Sequence, residues 1–369
     1  MNRTRLLAVA RKEVLHLRRD RRSLILAFLL PVLLVILFGY AISWDVKDIE
    51  TAVLDHDGSG RSRELLNAFW SSGYFRLVAR LERPSEIDAL LDRGTIRIAL
   101  VIPPGFASDL DAGRTAQIQG IADGTDANTA TIALAYARAI VRSYSNRIRV
   151  AGSRAPPIES RTRVWYNEDL SSKNMIVPGL VAVIMTIIAA MLTSLTIARE
   201  WERGTMEQLA ATPVSRLEVV VGKLLPYLAI GLMDVVGVSL VGVFLFGVPF
   251  RGSAALLMML SLAFLIGALG LGMFISAVAR SQLLATQLAM VATFLPAFLL
   301  SGFMYDIAVM PKPLQAFTYL VPARYFLVVT RGIFLKGVGI EVLRVQGLLM
   351  IVFAVIGLFA ATMVFKKEL

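Results

Sequence analysis

Cysteine is absent from this chain of 369 residues, and histidine occurs only twice, as His16 and His56. The first absence excludes disulfides and thiolate chemistry. The second, with the two imidazoles far apart in the sequence, argues against a zinc site. No H-E-x-x-H and no G-x-S-x-G occurs, so the common zinc-hydrolase and serine-hydrolase signatures are missing. A phosphate loop is missing too. Gly222-Lys223 has Leu217 where the first glycine belongs and Leu224 where Ser or Thr belongs. The run Asp55-His56-Asp57-Gly58-Ser59-Gly60 begins like a calcium loop, but its twelfth position is Leu66 rather than a bidentate Glu. It reads as a turn after a strand.

Apolar residues are plentiful: 56% of the chain is hydrophobic, and the mean hydropathy is +0.68, beyond a soluble globular domain. Runs of bilayer length lie near 23–43, 174–198, 219–247, 254–279, 283–304 and 345–365. Six crossings would put both termini on one side. The first run exceeds the h-region of a signal peptide, and Ala41-Ile42-Ser43 is a weak cleavage site, so it reads as an anchor.

The net charge of +11 does not point to nucleic acid, because the arginines gather beside the apolar runs. Arg3, Arg5, Arg11, Lys12, Arg18, Arg19, Arg21 and Arg22 precede the first run, against only Glu13 and Asp20. The positive-inside rule therefore places both termini in the cytoplasm. Lys312, Arg324, Arg331, Lys336 and Arg344, in a segment that must then face outward, pull the other way, and the larger N-terminal cluster decides.

Within the first segment, Leu6, Ala10, Val14 and Leu17 recur at helical spacing, the pattern of a helix lying in the lipid interface. Residues 45–170 break the apolar pattern and are long enough for a compact domain. Short β-like runs at Thr51–Leu54, Phe75–Val78, Ile96–Ile102 and Gln117–Ile121 alternate with helical stretches near 60–71, 84–93, 104–112 and 126–149. That alternation predicts a small α/β domain outside the cytoplasm, leading back through Ala155-Pro156-Pro157 to the second span.

The stretch 199–223 is a charged hinge between two apolar runs, so it must lie at a membrane face. Thr205 with Gln208, and Ser215 with Glu218, read as capping boxes opening two successive helices. Thr212-Pro213 separates them. A short surface helix with Glu200, Glu202 and Glu207 exposed is suited to docking a soluble partner, and Lys223 is expected to snorkel to the interface.

Farther on, Gly267, Gly270 and Gly272 offer a small-residue face for close helix approach. Pro226 and Pro296 are expected to kink their helices. Pro311, Pro313 and Pro322 interrupt an aromatic segment expected to form broken or re-entrant helices. Asp234 falls near mid-bilayer, where a lone carboxylate costs about 2.5–3.5 kcal/mol. It is either a polar point on a substrate or proton path, or a structural partner of Gln282 or Gln287 on a neighbouring helix.

With these residues assembled, the chain resembles a permease subunit of the ABC-2 family of ATP-driven transporters, of the multidrug type with a large extracytoplasmic insertion. One similar element is Arg199-Glu200-x-Glu202-x-Gly204-Thr205-x-Glu207-x-Leu209-x-x-Thr212-Pro213-Val214 with Gly222-Lys223, which resembles the family's coupling helix. A second is Leu300-Ser301-Gly302-Phe303, Met310-Pro311, Leu314-Gln315 and Pro322-x-x-Tyr325-Phe326, which resembles its outer re-entrant segment. Ile102-Pro103-Pro104-Gly105-Phe106 and Asp123-Gly124-Thr125-Asp126-x-Asn128 are similar to the insertion. Asp306 departs from the pattern, since many relatives carry proline there.

The resemblance implies an α-helical polytopic membrane protein of six spans with an inserted extracytoplasmic α/β domain. Its parts would be an interfacial helix over 1–22, a first span over 23–43, the α/β domain over 44–171 and a five-span domain over 172–369. The last would contain a coupling helix at 199–215 and a re-entrant segment at 305–335. It further implies a bacterial inner-membrane exporter half for an amphipathic or hydrophobic, drug-like compound. The chain would have no catalytic, cofactor or metal site of its own, with ATP and magnesium on a separate cytoplasmic ATPase. Its other partners would be a second permease subunit, the lipid bilayer and, in some assemblies, a periplasmic adaptor. Glu200, Glu202, Gly204, Thr205, Glu207, Thr212 and Pro213 would couple to the ATPase. Gly302, Phe303, Pro311, Pro322 and Tyr325 would form the outer gate. The rival reading, a membrane sensor whose outer domain binds a ligand, lacks a sizeable cytoplasmic output domain. An intramembrane hydrolase lacks paired catalytic residues.

Overall fold

The computed structural model describes residues 2–42, 48–125, 127–152, 166–167 and 171–365. Asp126 and Ala155-Pro156-Pro157, named above, lie outside the described residues, as does the Asn128 side chain. The chain divides into two compact units, Met1–Ser43 with Val164–Leu369, and Trp44–Arg163.

The first unit opens with α1 (Arg3–Arg19), where the Asn2 side chain accepts from the Thr4 amide and so satisfies an orphan N–H. After it comes α2 (Arg21–Ala41), apolar but for its first turn and with Pro31 inside.

The second unit is an α/β fold. β1 (Ile49–Asp55) leads to α3 (Gly60–Trp70), β2 (Phe75–Leu81) to α4 (Ser85–Asp92), β3 (Ile98–Ile102) to α5 (Phe106–Asp111), and β4 (Gln119–Ala122) to the long α6 (Ala127–Gly152). The sheet order is β2-β1-β3-β4, with β1 parallel to β2 and β3, and β4 antiparallel to β3. Each strand overlaps its sequence expectation. β3 reads Ile-Ala-Leu-Val-Ile because both of its faces are covered. Ile98, Leu100 and Ile102 join Val53, Leu65 and Phe69 on one side, and Ala99 joins Leu54, Ile87 and Ile96 on the other. The calcium-like run is indeed a turn: Asp55 accepts from the Asp57 and Gly58 amides at 3.1 and 3.0 Å and from the Ser62 hydroxyl at 2.7 Å. Asp123 likewise accepts from the Thr125 hydroxyl and amide at 2.6 and 3.0 Å. Those bonds hold its carboxyl below the usual range.

The first unit resumes with α7 (Ser172–Glu202), a short α8 (Met206–Ala210), α9 (Arg216–Phe244), α10 (Ala254–Ala279) and α11 (Gln282–Leu295). Pro296 follows, and the backbone continues as a π-helical turn to Leu300. The broken segment comprises a 3₁₀ turn at Ile307–Val309, α12 (Lys312–Thr318), α13 (Pro322–Arg331) and a second π turn at Gly332–Lys336. The last helix is α14 (Ile340–Val364).

Among the described residues five helices are long and apolar enough to cross a membrane: α7, α9, α10, α11 with its extension to Leu300, and α14. The first expected span coincides with α2, whose counted apolar part, Ala27–Ala41, is shorter. The expected six spans are thus five by this measure. Interior position goes to α7, which packs against α2, α9, α10, α11 and α13. Small residues permit the closest crossings. A Cβ on Gly270 would lie 2.7 Å from the Gly357 backbone, so α10 meets α14 there. Gly272 instead faces Ala190 and Thr193 of α7, so the expected single glycine face serves two neighbours.

Candidate functional site

The hinge between α7 and α9 is built differently from its sequence reading. Glu200 was expected exposed, yet it is 7% exposed. Its carboxylate accepts from Lys12 at 2.9 Å and Lys223 at 3.2 Å, and also from the Thr205 hydroxyl. Lys223 was expected to snorkel, yet it is 2% exposed and also bonds Glu13 of α1 at 3.1 Å. The Tyr227 hydroxyl donates to the same Glu13 at 2.9 Å. The physical reason is α1. It does not merely border lipid but lies along α9, with Val9 and Glu13 as its buried residues. Once α1 covers the base of α9, Lys223 cannot reach water, and a buried cation must be paired.

This packing extends along α1. The Asn2 amide donates to Glu218 at 2.5 Å, and the Arg5 guanidinium donates to the Pro213 carbonyl. The expected Ser215–Glu218 capping box is present, with both reciprocal bonds. The expected Thr205–Gln208 box gives way to the Thr205–Glu200 bond, and α8 begins at Met206. Gly204 adopts φ +69°, a left-handed conformation suited to glycine, which lets the chain turn from α7 into α8. Thr212 is half-buried and Pro213 exposed.

Glu202 receives the Gln282 amide at 2.7 Å and the Gln282 side chain. It therefore binds the hinge to the start of α11. Of the three acids, Glu207 alone is exposed with no side-chain partner among the described residues.

Asp234 is 3% exposed in α9, and its Oδ2 has no hydrogen-bond partner among the described residues. Among the described residues neither Gln282 nor Gln287 bonds it, and Gln282 is engaged by Glu202 instead.

At the other end of the helices, Gly302 takes φ +85° and its carbonyl accepts from Arg331 at 3.4 Å. Phe303 is buried against Gly179 of α7 and Phe298. Pro311 and Pro322 sit at the starts of α12 and α13, where the missing N–H is harmless. Tyr325 donates to the Tyr319 carbonyl at 2.7 Å. Asp306, the departure from the family pattern, caps the 3₁₀ turn by accepting from the Ala308 amide at 3.0 Å.

A cavity of about 410 Å³ opens beside the buried ion cluster, between α1, α2, α7 and α9. Ala27, Leu30, Ile188 and Leu192 make one part of its wall, and Lys12, His16, Arg199 and Arg203 another. Nothing in the sequence pattern marks this cavity, because its walls come from segments far apart along the chain.

A bundle of long apolar helices, with a charged hinge pinned to an N-terminal helix and a separate α/β unit, defines a polytopic membrane protein of the permease class. The profile described as "ABC-2 family transporter protein" matches residues 21–362. The chain belongs to this family of ABC-2 transporter permeases. It is 39% identical to the "Probable multidrug ABC transporter permease YbhS" of Escherichia coli strain K12, over 95% of this chain and 94% of that protein. The "Probable multidrug ABC transporter permease YbhR" of the same organism is 33% identical over 92% of both. The "Linearmycin resistance permease protein LnrN" of Bacillus subtilis is 22% identical over 94% of this chain and 95% of that protein.

Proposed function

We propose that this chain is the membrane subunit of an ATP-driven exporter in a bacterial inner membrane, and that α8 is the element that receives force from a separate cytoplasmic ATPase. In this reading α2 adds a sixth crossing, both termini lie inside, and the α/β unit lies outside. ATP and magnesium belong to the ATPase, and a second permease subunit completes the path for an amphipathic or hydrophobic, drug-like compound. The outer gate is assigned to Gly302, Phe303, Pro311, Pro322 and Tyr325.

The observation that carries this proposal is the construction of the hinge. Behind α8, Glu200, Lys223, Glu13 and Lys12 are bonded together, while Glu207 is exposed and has no side-chain partner among the described residues. A short helix on a rigid mount, with a free charge in front, suits a contact that pushes on the transmembrane helices. The relatives' printed descriptions as ABC permeases support the same reading. Docking now rests on the exposed Glu207. Glu200 and Glu202 instead hold the hinge in place.

Glu207→Arg, co-expressed with the ATPase, tests the proposal. Like charges at an interface cost several kcal/mol, so the variant should insert normally but lose ATPase co-purification and transport. Retained assembly and export would remove the docking role.

A further inference from the structure

We infer that the cavity between α1, α2, α7 and α9 binds an amphiphile with a single negative charge on its head. The binding claim stands on the cavity alone; only its use as a loading site for an exported compound rests on the exporter proposal.

The volume of about 410 Å³ lies within the range of small-molecule sites. Ile188, Leu192 and Leu195 recur at helical spacing along α7 and form its apolar wall. One turn farther along the same helix comes Arg199, and Arg203 caps the helix's C-terminal end, so the lining changes from apolar to cationic in one direction. A tail would lie against the apolar side chains and a head would sit at the hinge.

Charge decides the sign of that head. Each acid lining the cavity already meets a cation: Glu13 meets Lys223 at 3.1 Å, Glu200 meets Lys12 at 2.9 Å, and Asp20 meets Arg199 at 3.6 Å. Arg203 is left over, exposed and without a side-chain partner among the described residues. A monoanion would complete the set, and a cationic head would add to an uncompensated charge.

The test uses the full chain in phosphatidylcholine nanodiscs, titrated with dansylamino-undecanoate and with its uncharged methyl ester. The acid should bind saturably, and the ester about tenfold or more weakly, as expected for a lost charge-assisted hydrogen bond. Leu192→Trp fills the cavity and Arg203→Glu reverses its free charge; each should weaken the acid about tenfold or more. Leu348→Trp, on the exposed face of α14, should bind like wild type. Arg203 is exposed, so its variant keeps the fold and serves even where Leu192→Trp does not assemble. Equal binding of acid and ester, or wild-type binding by either cavity variant, overturns the inference.

Native mass spectrometry then separates the sources. An anionic phospholipid retained by wild type and lost in Arg203→Glu identifies a leaflet lipid. Probe binding with no retained lipid identifies a transported compound. Loss of transport in Glu207→Arg, with probe binding intact, leaves this site standing whatever becomes of the coupling proposal.

Discussion

Gly222 shows how one residue sets a helix crossing. A Cβ there would lie 2.9 Å from both Cβ and Cγ1 of Val9 and 3.2 Å from the Leu6 carbonyl, so α1 can lie on α9 only while the position stays bare. Gly222→Ala should destabilise the folded chain by about 1–3 kcal/mol, the usual range for overpacking. Val9→Ala in the same chain should return part of that loss, and thermal unfolding in detergent reads both. Unchanged stability of the single variant would contradict the close crossing.

Asp234 makes the opposite case. Its buried carboxylate, whose Oδ2 has no hydrogen-bond partner among the described residues, contributes little that an isosteric amide would not. Asp234→Asn should therefore insert normally and unfold at the wild-type temperature or above. If export nevertheless falls, the carboxylate serves the path; a loss of stability would instead mark it as a structural partner. At this scale the sequence was legible where partners are local. The Ser215–Glu218 box joins residues three apart and was readable, whereas Lys223 and Glu13 are 210 residues apart. No spacing rule joins them.

Elements were read unevenly, and for a physical reason. Strands and helices of the α/β unit have boundaries set by local alternation and turn residues, so β1 to β4 and α3 to α6 were all anticipated. The N-terminal helix was anticipated too, but its partner was not. Its stripe of Leu6, Ala10, Val14 and Leu17 suggested lipid, while the residues buried are Val9 and Glu13. A buried glutamate is invisible to an apolar pattern until its cation is known.

That cation sets an element-scale prediction. Lys223→Met leaves Glu13 and Glu200 buried with Lys12 alone to offset them. Breaking a buried ion pair from one side costs about 3–5 kcal/mol, so this variant should unfold at a much lower temperature and lose the fixed position of α8. Neutralising all three residues, with Glu13→Gln and Glu200→Gln added, should recover most of the stability. If the single change is as stable as wild type, the cluster does not hold α1 to the hinge.

Across the whole transmembrane unit, one end gathers α1, the hinge, the Arg280 turn and the end of α14. Trp201, Met206, Arg280 and Phe365 line a common pocket there. Toward the other end lie Gly302 and the broken segment, where Arg251 donates through its amide to the Phe334 carbonyl at 3.0 Å. The basic residues that argued against the proposed orientation belong to that second end, and several are held by the protein. Arg324 stacks 4.0 Å from the Tyr319 ring centroid and donates to Thr318. Arg331 donates to the Gly302 and Met175 carbonyls, and Lys336 lies 5.9 Å from the Tyr166 ring centroid. Arg5 and Lys12 of the N-terminal cluster are bonded as well, but that cluster is the larger, and on that count the hinge end is the proposed cytoplasmic side. The absence of cysteine makes this directly testable. Ser59 and Ser215 are poor labelling positions, because both side chains cap helices; Glu82 and Ala211 are exposed and have no side-chain bond among the described residues. In intact cells Glu82→Cys should react with a membrane-impermeant maleimide, and Ala211→Cys should react only after permeabilisation. The reverse pattern would turn the molecule over, placing α8 where no ATPase can reach it and removing the exporter proposal along with the orientation.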